Sequence, residues 1–175
     1  MLVKIIIFAV GSIGTVFLSL RSASQLHSYG LLRFFAFESI LILLLLNGER
    51  WFRDPFSFTQ IFSWLLLIAS AVMVSSGFYM LRRFGRPKAA IEDTVVLVTS
   101  GIYRYIRHPL YSSLIYLAWG AFLKNISIIS LILVLAVSIL SIVIAKIEEK
   151  EDIRKFGEKY LAYMQATKMF IPFII

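Results

Sequence analysis

The sequence predicts an all-α integral membrane protein of about five transmembrane helices, with a helical hairpin and a C-terminal amphipathic helix. Three observations carry this expectation. Of the 175 residues 59% are hydrophobic, against roughly half in a soluble domain, and the mean hydropathy is +0.85. The excess lies in runs approaching the roughly 20 apolar residues that a helix needs to cross a bilayer. Clusters of Lys and Arg flank those runs, which is how cytoplasmic loops are marked.

The first run, residues 2–20, carries only Lys4; its basic start also has the outline of a signal peptide, but it is read here as a span. Residues 31–46 and 59–81 form the second and third. Arg82, Arg83, Arg86 and Lys88 then follow closely. A mixed stretch leads through Gly101 to Arg104 and Arg107, after which the chain is apolar to Leu123, breaks at Lys124 and Asn125, and is apolar again from 126 to 145. So short a break predicts a hairpin, its first arm starting near Ile106. Residues 146–167 read as a charged helix with Ile153, Phe156, Tyr160 and Tyr163 at helical spacing, lying on the membrane surface or under the bundle. The expected organisation is one membrane domain, with three helices in residues 1–81 and a functional core in 82–175.

Orientation follows from basic residues. The segment 82–107 holds six and the tail from Lys146 another six, whereas the hairpin tip holds one. The two rich segments flank a double crossing, share one side, and should be cytoplasmic. The net charge of +8 is thereby accounted for, and no basic-aromatic surface stands apart to suggest nucleic acid. The absence of Cys excludes disulfides, thiolate metal sites and a thiol nucleophile. His27 and His108 alone are too few for a convincing metal site. Glu38, midway along the second span, reads equally as a functional acid or a hydrogen-bonded packing residue. Ala69, Ser70, Ser75, Ser76 and Gly77 read as small residues that let helices pack closely.

The chemistry-bearing residues lie in the second half. Leu97, Val98, Gly101, Tyr103, Arg104, Arg107, His108, Pro109, Leu110 and Tyr111 form a polar, aromatic strip directly before the fourth crossing. Pro109 suits the first helical turn, and His108 and Tyr111 share a face. An interfacial belt has the same composition. Glu148 and Glu149 follow the fifth crossing, ahead of Phe156, Gly157, Tyr160 and Tyr163, and solvated helix charges would look alike. The hairpin returns the chain to the side it left, so the two clusters should meet.

In order, Leu97-Val98, Gly101, Tyr103, Arg107-His108-Pro109, Tyr111, Glu148-Glu149, Phe156-Gly157, Tyr160, Tyr163 and Pro172 resemble the isoprenylcysteine carboxyl methyltransferase family, related to the membrane phospholipid methyltransferases. The likeness runs from about Arg82 to the end. It implies transfer of a methyl group from S-adenosylmethionine to a lipid-like acceptor that enters from the bilayer. Val95, Val96, Leu97, Val98, Tyr103, His108, Pro109, Leu110, Tyr111 and Glu148 would bind the cofactor. His108 and Arg107 would address its carboxylate, and Glu148 its ammonium. Tyr111, Glu149 and Lys146 are the candidate catalytic residues, with Glu149 as the acid for an amine acceptor. Two departures stand out. Ser112-Ser113 follow Tyr111 where relatives often have glycine. Ile144 occupies the position of a substrate-binding arginine, leaving Lys146 as the nearest cation, without a bidentate fork. A carboxylate acceptor is the first expectation and a phospholipid or other amine the second. A reductase using NADPH and a non-enzymatic accessory protein are the other classes.

Overall fold

The computed structural model describes residues 2–23, 29–88, 91 and 93–174, with only the backbone of residues 18 and 20–23; His27 lies outside that set. Its helices are α1 (Leu2–Ala23), α2 (Gly30–Asn47), α3 (Phe58–Met80), α4 (Pro109–Lys124), α5 (Ile128–Phe156) and α6 (Glu158–Ala166). Among the described residues there is no strand, only two isolated bridges. The expected all-α membrane architecture is what the chain adopts. Among the described residues, three helical stretches are long and apolar enough to cross a bilayer: Gly30–Arg50, Phe58–Gly85 and Ile128–Phe156. The apolar stretch Leu2–Phe17 is shorter. So is α4, whose 16 residues extend about 24 Å against a hydrocarbon core of about 30 Å.

Apolar side chains point outward along the long helices, as in Val72 at 54%, Ile132 at 61% and Ile139 at 60% exposure. A soluble protein rarely leaves such continuous apolar faces; lipid covers them at no cost. Between helices the pattern inverts, and small polar residues are buried. Ser63 and Ser70 of α3 donate to the carbonyls of Gly120 (2.7 Å) and Ser113 (2.8 Å) on α4, and Asn47 of α2 donates to Ala121 O at 2.8 Å. Without a hydrophobic drive between helices, such contacts and close approach hold a membrane bundle together. Gly77 illustrates the approach: a β-carbon there would stand 3.1 Å from Pro109 and Leu110. Glu38 accepts hydrogen bonds from Ser12 and Thr15 of α1, tying the first two helices together.

Three boundaries differ from the sequence expectation. The helical stretch does not stop at 81 but widens after Met80 into a π-helical turn, Leu81–Gly85, closed by Arg86 in the left-handed region. α4 starts at Pro109 rather than near Ile106. The reason is tertiary: Arg107 N–H donates to Lys168 O (2.8 Å), His108 N–H to Met169 O (3.1 Å), and Lys168 N–H to Tyr105 O (3.1 Å). The backbone there pairs with the tail instead of coiling. Finally, the charged segment after 145 is no new helix. α5 continues unbroken to Phe156 and turns at Gly157, whose φ of 59° suits a residue without a β-carbon.

Candidate active site

The π-helical turn after α3 exposes the Gly85 carbonyl, which accepts N–H bonds from Val95 (2.9 Å) and Val96 (3.1 Å). This folds residues 94–98 back under α3, so that Val98, Leu81 and Tyr103 pack as one buried cluster. Gly101 at φ 60° opens the short 3-10 turn Gly101–Arg104. From there the chain runs to His108, the residue capping α4. The α4–α5 hairpin then returns to the same end of the bundle, bringing Glu148 beside His108: Nδ1 and Oε2 are 3.8 Å apart. α6 closes the remaining side, with the Tyr163 hydroxyl donating to Tyr103 O at 2.7 Å.

These elements enclose a cleft that opens to solvent at that end of the bundle. Leu97, Val98, Tyr103, His108, Pro109, Leu110, Tyr111 and Glu148 line it, as do Arg107, Asp152, Phe156, Tyr160 and Tyr163. Four residues singled out from sequence lie elsewhere. Val95 and Val96 are 50% and 43% exposed and serve the fold through their N–H groups. Lys146 is exposed on α5. Glu149 lies behind the wall, where its Oε1 accepts from Arg107 Nε at 2.7 Å.

Arg107 is thereby committed. Its Nη1 also donates to Thr167 O (2.5 Å) and Met164 O (3.2 Å), capping the end of α6 with a cation, where the helix carbonyls favour one. His108 lies between the two acids, with Nε2 3.5 Å from Glu149 Oε1. Burial is the main influence on His108 and pushes its pKa down; Glu149 opposes this and Arg107 adds to it. The imidazole is therefore neutral at pH 7. Burial likewise pushes the Tyr160 and Tyr163 phenols up, so both remain protonated.

Two residues of this region were not singled out in the sequence. Asp152 follows Glu148 by one helical turn and lines the same wall, a spacing visible in the sequence but indistinguishable from a solvated charge. Arg33 of α2 is the second: Nη2 donates to Tyr111 Oη at 2.6 Å and to Glu148 Oε1 at 3.0 Å. Its guanidinium carbon lies 5.3 Å from the Tyr29 ring centre and 5.8 Å from that of Tyr111. The signal for it was an arginine inside an apolar run, which is expensive unless it has a task. Ile144, at the position where the resemblance leads one to look for a cation, is 1% exposed and packs against Tyr29, Tyr111 and Phe170.

Comparison with known proteins gives the family. A family model described as phospholipid methyltransferase matches residues 58–159, more than half of the chain. The methanethiol S-methyltransferase of Crocosphaera subtropica (strain ATCC 51142 / BH68) is 33% identical over 76 residues, which are 43% of this chain and 29% of that relative. The match thus spans under a third of the relative's length. The family implies a methyl donor and an enzyme built into the membrane. The chain belongs to the phospholipid methyltransferase family of membrane methyltransferases.

Proposed function

We propose that this protein transfers a methyl group from S-adenosylmethionine to a lipophilic acceptor that reaches the cleft from the bilayer, on the cytoplasmic side. The observation that carries the reading is the meeting of His108 and Glu148, from either side of the hairpin, at 3.8 Å in one cleft. The walls fit the cofactor's chemistry. Glu148 and Asp152 are the acids in the cleft lining that suit the cofactor's ammonium, tyrosine faces suit cationic groups, and Leu97, Val98, Leu110 and Phe156 offer apolar surface to its adenosine. When bound, the cofactor supplies an electrophilic methyl group. The protein's own task is then alignment and exclusion of water, which together lower a barrier by several kcal/mol. In this reading residues 82–175 carry the methyltransferase core and the helices before them frame the lipid-facing side.

The charge pattern favours an uncharged acceptor over a carboxylate. Both arginines at the site are already ion-paired, Arg33 with Glu148 and Arg107 with Glu149, while Asp152 adds a further acid to the wall. An amine or thiol enters without repulsion, and Asp152 or the neutral His108 stands ready for the proton it sheds. The relative's substrate, by its name a thiol, belongs among those to try.

Calorimetric titration of the detergent-solubilised protein tests the reading. S-adenosylmethionine should bind, and His108→Ala and Glu148→Ala should each weaken it by about tenfold or more. Preference for NADPH, or indifference to both substitutions, refutes it. A labelled methyl donor offered with long-chain thiols, amines and carboxylates then identifies the acceptor class.

A further inference from the structure

Arg33 lies on α2, outside the segment 58–159 that matches the family, yet its guanidinium reaches the cleft wall. Its side chain is 7% exposed and that of Glu148 12%. A buried charge persists only where its partners are close and well directed; here Nη2 is shared between the Glu148 carboxylate and the Tyr111 hydroxyl. Tyr111 in turn donates to the same carboxylate oxygen. Oε1 of Glu148 is thus held from two helices, leaving Oε2 on the side of His108, 3.8 Å from Nδ1. We infer that Arg33 is a positioning residue of the methyl-donor site: it sets the direction of Glu148, and through it the grip on the cationic amino-acid end of the donor. The inference rests on the donor reading above. It makes α2 part of the functional unit, although α2 contributes nothing to the residues recognisable from the family.

A merely structural role for Arg33, locking α2 onto the bundle, predicts a different outcome, and two ligands separate them. S-adenosylhomocysteine carries the amino-acid end; 5′-methylthioadenosine has the same nucleoside without it. Titrations of both are compared between the unaltered protein and Arg33→Gln, with thermal unfolding recorded for each. Positioning predicts that Arg33→Gln weakens S-adenosylhomocysteine by about tenfold or more while 5′-methylthioadenosine changes by less than about twofold. Arg33→Lys, which keeps the charge but not the fork, should recover part of the loss. If Arg33→Gln does not accumulate, Arg33→Lys alone carries the comparison, with a selective loss of about fivefold expected. Parallel losses for both ligands, or none for either, overturn the inference while leaving the donor reading intact. Failure of the unaltered protein to bind either ligand overturns the donor reading, and the role of Arg33 with it.

Discussion

Arg107 and Glu149 form a buried ion pair at the back of the cleft, 2.7 Å from Nε to Oε1, with each side chain 9% exposed. The same guanidinium holds the carbonyls of Met164 and Thr167, so one residue ties α5, the end of α6 and the loop before α4 together. Removing one partner of such a pair leaves the other charged and unsatisfied. Arg107→Ala should therefore destabilise the protein by about 3 kcal/mol, read as a lower unfolding temperature in detergent and faster proteolysis of the tail after Ala166. Glu149→Gln keeps an acceptor for Arg107 and should cost less. An Arg107→Ala protein as stable as the parent would show that the pair contributes nothing.

His108 predicts a pH dependence. Burial pushes its pKa below the ordinary value of 6.5, so between the folded value and about 6.5 the unfolded chain holds the extra proton. Stability is then level above about pH 6.5 and falls as the solution is acidified through that window, by at most about 1.4 kcal/mol per pH unit. Other groups titrate nearby, so the quantity to measure is the difference between the parent and His108→Gln. That difference should shrink as pH drops from 7 to 5. A difference that grows on acidification would mean the imidazole is held charged by its two glutamates.

How far the sequence could be read follows from the range of each interaction. The apolar runs were legible because crossing a bilayer requires many consecutive apolar residues, and α2, α3 and α5 lie where those runs do. The meeting of the 97–111 strip with Glu148 was legible too, since a hairpin must return to its starting side. The continuation of α5 past Ala145 was not, because a helix's backbone bonds are indifferent to a change from apolar to charged side chains. Only Gly157, with its left-handed turn, marks the real end. The pairing of residues 105–108 with the tail has no local pattern at all. Arg33 meets Glu148 across 115 positions of sequence, and nothing near either residue names the other.

Gly85 offers a test of how the loop wall is built. A β-carbon there would stand 2.6 Å from Thr94 Cγ2 and 3.1 Å from its β-carbon. Its carbonyl also anchors Val95 and Val96. Gly85→Ala should push the 94–98 segment off α3 at a cost of about 1–3 kcal/mol, and weaken donor binding, since Leu97 and Val98 line the cleft. Hydrogen exchange at Val95 and Val96 should rise in the variant. Unchanged exchange would mean that Thr94 rotates aside and the wall stays in place.

At the far end of α4, Lys124 makes the complementary control. It is 4% exposed, with Nζ 3.0 Å from Gln60 Oε1, 3.7 Å from the centre of the Trp64 ring and 5.6 Å from that of Trp51. A cation desolvated against aromatic faces gains about 2 kcal/mol, part of which its lost hydration offsets. Lys124→Met keeps the stem and should cost about 1–2 kcal/mol, lowering the unfolding temperature by loosening the hairpin tip. The tip lies about 24 Å along α4 from His108, so donor affinity should change by less than about twofold. A Lys124→Met protein that unfolds normally but no longer binds the donor would mean that the tip communicates with the cleft, and that the two ends of the hairpin are not independent.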